Sequence, residues 1–244
     1  RSSIIKKLGN SESSPLFNKI SVGEDKAVLT FKPFTTALAN SSLLPSAKGN
    51  KYNEDSLVGS LYDTNNQVHN QEMNRAKKKI VDFIIHCYDY VEHSYPKIYN
   101  KEKYFIVSNR GTFAFISLIG DLNKFETEKG KLSKQSKSSD RFEIIKPYLK
   151  SLLDGLSKLS TEEEDKQLTL LGAGADTKWL RYFQTIVNTN HTSYNPPELI
   201  DWKERQNEVY QSDGRKYIKE VERFMKKTIL NNLEILFEDN CESL

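Results

Sequence analysis

Basic side chains recur among serines and a glycine between residues 129 and 141 of this sequence. This composition predicts a flexible linker. Because its charges add, such a linker can neutralise nucleic-acid phosphates without reading the base sequence. The segment has no aromatic residue on which a base could stack, which favours an ordinary solvated loop instead. The candidate nucleic-acid-binding residues are Lys129, Lys131, Lys134, Lys137 and Arg141.

Two histidines, His86 and His93, lie seven residues apart in a segment with helical periodicity, and Asp82 and Asp89 each precede a histidine by four residues. Two turns of helix place both imidazoles on roughly one face. A metal site usually needs ligands at closer spacing, together with ligands from elsewhere in the fold. Aspartate–histidine pairs on a helix surface explain the pattern without a metal, so no metal site is predicted.

Two further motifs have an ordinary structural interpretation. The Gly172-Ala-Gly174 turn lacks the remaining glycines of a dinucleotide-binding loop and the Gly-Lys-Ser/Thr of a Walker loop, so it predicts a turn between helices. The acids at 162–165 suit the first turn of a helix. His69 and His191 lie in no recognised catalytic motif. We therefore predict no catalytic residue and no cofactor, although a site assembled in space from Asp82, His86, Glu162 and the Gly172 turn is an alternative, as in a nuclease or nucleotide hydrolase.

Composition limits the class of protein. The 244 residues suit one large domain or two small ones, and the net charge of +3 does not by itself argue for nucleic acid. The two cysteines, Cys87 and Cys241, form no C-x-x-C pair and indicate reduced thiols in a cytoplasmic protein. The longest apolar runs are far shorter than the roughly 20 residues of a membrane span, and no signal peptide is visible.

Apolar residues at steps of three and four predict a mainly α-helical fold, a multi-helical bundle with at most a small β element. Strong helices are predicted over about 65–94, from about 109 to a stop at Gly130, and over 140–159, where Pro147 should introduce a kink or a new start. Residues 27–31 are the best strand candidate, and a helix is predicted from about Pro33 to Leu44. The run of lysines at 77–79 is typical of the solvated face of a helix.

The predicted organisation is an N-terminal helical lobe with a short strand at 1–128, the basic linker at 129–141 and a C-terminal helical lobe at 142–244. The chain opens on residues 1–8 (RSSIIKKL), which look like the last turns of a helix belonging to something longer. We therefore expect an upstream domain or partner protein to pack on this chain.

Several short stretches resemble the region that follows the DGQHR motif in DGQHR-domain (DndB-like) proteins. They are residues 4–8 (IIKKL), 14–20 (SPLFNKI), 28–31 (VLTF), 108–115 (SNRGTFAF) and 220–229 (EVERFMKKTI). The DGQHR string itself is absent from the 244 residues, so no activity attached to it can be assigned to a residue here. What the resemblance implies is a bacterial setting in DNA modification, transcription regulation or phage defence.

These observations give a first hypothesis: a non-catalytic helical region of a DNA-associated regulatory or defence protein, which packs on a further domain and contacts DNA phosphates. The enzyme described above is a second hypothesis. A third is a protein–protein interaction module, whose signature would be an exposed apolar patch, expected on the final helix predicted over residues 212–237.

Overall fold

A computed structural model of the chain describes residues 1–21, 27, 29–44, 69–99, 105–107, 109–133 and 135–159. The helices are α1 (Ser2–Asn10), α2 (Phe31–Asn40), α3 (His69–Ser94), α4 (Pro96–Tyr99), α5 (Asn109–Glu128) and α6 (Ser138–Leu159), with a 3₁₀ turn at Phe105–Val107. Two short strands, β1 (Ile20–Ser21) and β2 (Leu29–Thr30), pair in parallel, with Ile20 opposite Leu29. The expectation of a mainly helical fold with a small β element is therefore confirmed.

The centre of the packing is α5, because almost every side chain from residue 111 to residue 120 is buried. α2 and α6 both pack against α5, while α3 packs against α1 and α6. Tyr88 of α3 meets Phe115 of α5 edge to face, with ring centroids 5.0 Å apart. One hydrophobic core thus contains apolar residues from α1, α2, α3, α5 and α6.

The packing of α5 on the turn after α2 depends on a small residue. A Cβ at Gly120 would lie 3.1 Å from the backbone nitrogen of Ser42, closer than ordinary packing allows. At the same place, the Ser42 hydroxyl donates a hydrogen bond of 2.8 Å to Oδ1 of Asp121. Close backbone approach and a polar bond therefore fix this end of α2 on α5.

The stop predicted at Gly130 is found, and the end of α5 there is a Schellman motif. Gly130 has a φ of +75°. Its N–H donates to the carbonyl of Thr127 at 2.9 Å, and the N–H of Lys131 donates to the carbonyl of Glu126 at 3.0 Å. These two bonds satisfy carbonyls at the helix end and turn the chain out of the helix.

α6 begins at Ser138 and runs through Pro147 as one helix rather than restarting there. It packs into the same core as α3 and α5. Residues 160–244, which include most of the predicted C-terminal lobe, lie outside the described residues, so the division into two lobes stays a prediction. Within the described part of the chain, no helix has the length and apolarity needed to cross a membrane.

Candidate nucleic-acid interface

Arg141 occupies a different environment from the one that a flexible basic linker predicts. Only 2% of the residue is exposed. Its Nη1 donates to Oδ1 of Asn123 at 2.8 Å, Nε donates to the carbonyl of Ser136 at 3.3 Å, and Nη2 donates to the carbonyl of Ser133. The guanidinium therefore binds the chain that leads into α6, and its burial argues against the predicted contact of Arg141 with phosphates.

The sequence does contain a signal for this burial. On α6, Arg141 lies four residues before Ile145 and eight before Leu149, and both of these apolar residues are fully buried. A helix places residues at this spacing on one face. Arg141 is thus part of the buried stripe, and its bonds to two backbone carbonyls hold the described part of the linker in place.

Lys131 and Lys129 are exposed, but each contacts a neighbouring side chain. The Lys131 ammonium lies 3.0 Å from Oε2 of Glu126, whose side chain is 0% exposed. The Lys129 ammonium lies 3.9 Å from the ring centroid of Phe125. Both ammonium groups therefore contact side chains at the end of α5. Lys134, another of the predicted residues, lies outside the described residues.

Glu126 is a buried carboxylate with neighbours on two sides. The Tyr148 hydroxyl donates a hydrogen bond to Oε1, and Lys131 forms the ion pair with Oε2, without hydrogen-bond alignment at that atom. Burial first, and the neighbouring carboxylate second, raise the pKa of Tyr148 well above its ordinary value, so the phenol stays protonated and donates. This arrangement stabilises the packing of α6 on α5 rather than forming a ligand site.

The remaining predicted residue, Lys137, lines a groove of about 370 Å³ between α3 and the start of α6. The α3 wall is a stripe at helical spacing that carries Arg75, Lys78 and Lys79. The Ser138 hydroxyl donates to the carbonyl of Lys79 at 2.8 Å and so joins the two walls. We call this the α3–α6 groove. It also contains Asp82, His86 and Ser139.

A second groove, of about 570 Å³, lies between α1 and α3, and we call it the α1–α3 groove. Lys6 and Lys7 line its α1 side. Lys78 and Asp82 line both grooves, so the two are adjacent. Together they form what we call the basic face, whose cationic residues are Lys6, Lys7, Arg75, Lys78, Lys79 and Lys137.

Positive charges lie close together on the basic face. Asp82 is the one acidic residue among the described residues that line the two grooves. The pKa of Lys79 lies below its ordinary value, chiefly because of partial burial and secondly because of the positive charge of Arg141. Burial also lowers the pKa of Arg141, to about 10. An anion bound in the α3–α6 groove would offset the repulsion between Lys79 and Arg141.

The two aspartate–histidine pairs of α3 have different surroundings. Asp82 and His86 line the α3–α6 groove, and the His86 ring stacks on Phe142 with centroids 5.9 Å apart. A ring nitrogen of His93 lies 2.9 Å from the backbone carbonyl of Asp89. The structure confirms that both pairs lie on one helix. Beside the second pair lies a further carboxylate, that of Glu92, whereas Ile85 occupies the equivalent position beside the first pair.

The residues of the enzymatic alternative lie only partly within the described part of the chain. Asp82 and His86 share a groove, but helical spacing of four residues brings them together in any case. Glu162, the Gly172 turn and His191 lie outside the described residues, as does the final helix on which an apolar patch was expected. The enzyme and protein-interaction hypotheses therefore stay predictions.

Comparison with known proteins gives no relative: no protein-family model, no curated protein and no solved structure matches the chain. The basic face is a candidate functional feature of the described residues. Sequence reasoning found Lys137 but treated the 77–79 lysines as a solvated face, and it had no means of knowing that α1 and α6 flank them.

Proposed function

We propose that this chain is a non-catalytic helical region that binds the phosphate backbone of duplex DNA through the basic face. The observation that carries the proposal is the convergence of six lysine and arginine side chains from α1, α3 and the start of α6 on two adjoining grooves. The overall net charge is only +3, so this convergence is a local asymmetry and not a property of the whole chain.

Phosphate binding of this kind gives affinity without base specificity. Each lysine or arginine that neutralises a phosphate releases a condensed counterion, so the logarithm of the binding constant falls with the logarithm of salt concentration by about 0.9 per phosphate. Lys78 has the central position, since it lines both grooves. Bonds to phosphate fix position on the duplex, while sequence would be read elsewhere.

The proposed setting is a cytoplasmic DNA-modification, transcription-regulation or phage-defence protein of the DGQHR type, in which this region packs on a further domain. The resemblance of residues 4–8, 14–20 and 108–115 to that family supports the setting. A buried, unpaired thiol at Cys87 is in keeping with a reducing compartment.

The test is a fluorescence-anisotropy titration of a labelled duplex over a series of salt concentrations. We expect Lys78→Gln with Lys137→Gln to weaken binding uniformly across DNA sequences and to reduce the salt slope by about 2, because two phosphates are no longer neutralised. The matched control is Lys146→Gln with Lys150→Gln, which removes two α6 lysines that pair with Glu143 and Asp154. Absence of binding at low salt, or an equal effect in the control variant, would contradict the proposal.

A second pair of variants separates the basic face from a flexible basic linker. Lys129→Gln with Lys131→Gln should leave the salt slope unchanged, because these ammonium groups contact Phe125 and Glu126. Circular dichroism must first show that the variants are folded. If this pair flattens the slope while Lys78→Gln with Lys137→Gln does not, the linker and not the basic face binds DNA.

A further inference from the structure

Three side chains of α3 with metal-binding chemistry converge away from the residues that form the basic face. A carboxylate oxygen of Asp89, a carboxylate oxygen of Glu92 and a ring nitrogen of His93 all lie within 4.8 Å of one another. The three residues have the spacing i, i+3 and i+4, which places them on one face of the helix. The ligand atoms are near enough that small side-chain rotations could bring all three to bonding distance of one cation.

The hydrogen bond of His93 sets the form of its imidazole. The ring Nδ1 lies 2.9 Å from the backbone carbonyl oxygen of Asp89. A carbonyl only accepts hydrogen bonds, so Nδ1 carries the proton of the neutral ring and Nε2 keeps its lone pair. Metal-binding histidines typically have this arrangement, in which one ring N–H is held by a carbonyl or carboxylate and the other nitrogen is left for the metal.

The surroundings of the cluster already hold a positive charge. The Lys19 ammonium lies 3.5 Å from Oε1 of Glu92 and 4.0 Å from the ring centroid of Tyr99. Both partners of the Lys19–Glu92 pair are about a third exposed, so the ammonium competes with a cation for Glu92 but does not exclude it.

We propose that Asp89, Glu92 and His93 bind a divalent transition-metal cation of the Zn²⁺ class, with water completing its coordination. Imidazole favours such cations over Mg²⁺ and Ca²⁺, which prefer oxygen ligands alone. Three protein ligands leave at least one coordination position open to water. This site is independent of the proposed DNA binding, since none of its residues lines the grooves of the basic face.

The same helix supplies a matched comparison. Asp82, Ile85 and His86 repeat the spacing of the cluster one heptad earlier, with an isoleucine in place of Glu92. If two residues at i and i+4 were enough, both positions would bind equally. If the third ligand, Glu92, matters, only the later position binds tightly.

Isothermal titration of the full chain, freed of any affinity tag, with Zn²⁺ and separately with Mg²⁺ tests the proposal. We expect Zn²⁺ to bind, and His93→Ala and Glu92→Gln each to weaken the binding by at least about tenfold, an effect found even for outer-shell partners of metals. His86→Ala should leave it unchanged. Equal effects of His93→Ala and His86→Ala, or no Zn²⁺ binding by the parent chain, would overturn the assignment.

Lys19→Gln provides a variant that should improve binding rather than destroy it. Removal of the competing ammonium leaves Glu92 free for the metal, so we expect tighter Zn²⁺ binding than in the parent chain. Such a gain cannot arise from misfolding. Unchanged or weaker binding in a variant whose circular dichroism matches the parent would count against Glu92 as a ligand.

Discussion

Nη1 of Arg141 donates a hydrogen bond of 2.8 Å to Oδ1 of Asn123 and so ties the first turn of α6 to the buried face of α5. Both residues are almost completely buried. Arg141 lines neither groove, but its charge adds to the effect of burial, the main cause, in lowering the pKa of Lys79 on the basic face.

Replacement of Arg141 by lysine tests this structural role. The variant keeps the charge but loses the planar group that reaches Asn123, Ser133 and Ser136 together. We expect the free energy of unfolding in urea to fall by about 2–3 kcal/mol, since buried acceptors lose charged hydrogen bonds. Lys137→Gln, at an exposed position four residues earlier, should change it little. Equal stability of Arg141→Lys and the parent would contradict the role.

Tyr148→Phe should destabilise the packing between α5 and α6. The variant removes the hydroxyl that donates to the buried Glu126 carboxylate, and we expect a decrease of about 1–2 kcal/mol in the free energy of unfolding. Tyr95→Phe is the control, because the Tyr95 hydroxyl bonds to Asp154, whose partly exposed carboxylate can bond to water instead. A larger decrease in the free energy of unfolding for Tyr95→Phe than for Tyr148→Phe would show that the buried Glu126 carboxylate does not need the Tyr148 hydroxyl.

Gly130→Ala should cost about 1–2 kcal/mol of stability, because a residue with a side chain is strained at a φ of +75°. Apart from its chain neighbours, no heavy atom of the described residues lies within 4 Å of the Cβ position, so the cost comes from backbone conformation and not from a clash. Gly130→Asn should lose less stability, since asparagine tolerates the left-handed region. Thermal unfolding followed by circular dichroism distinguishes the two variants.

Cys87 should resist chemical labelling until the protein unfolds. The thiol is completely buried, and burial raises its pKa well above the ordinary value of 9.0. In a Cys241→Ser background at pH 8, we expect labelling by a thiol reagent to be slow in native buffer and fast in urea. Rapid labelling in native buffer would show that the α3 core opens readily.

The same burial gives a pH dependence. The unfolded chain releases the Cys87 proton near pH 9, whereas the folded chain retains it, so the stability contributed by the buried neutral thiol is lost as pH rises above 9. The free energy of unfolding of the parent should therefore approach that of Cys87→Ala as the pH is raised above 9, up to the pH at which the protein unfolds. A constant difference between the two would contradict the shift.

Local pattern predicted the helices but not the candidate site. Ile80 and Leu149 each belong to an apolar pattern that repeats every helical turn. Helices α3 and α6 could therefore be predicted from residues close together in sequence. The basic face depends on α1 and α6 lying on either side of Lys78, which is a property of the packed core. Arg141 was misplaced because its charge was weighed more heavily than its position on the apolar stripe of α6.

The hydrogen bond from Ser138 to the carbonyl of Lys79 joins two helices through residues that are 59 positions apart in the chain. Each helix supplies one wall of the α3–α6 groove, so the polyanion binding proposed above would require both walls to be assembled. Occupancy and folding are then thermodynamically linked, and the melting temperature should climb with ligand concentration by mass action. A bound nucleic acid would in this way stabilise the packing of α3 on α6 that forms its own binding groove.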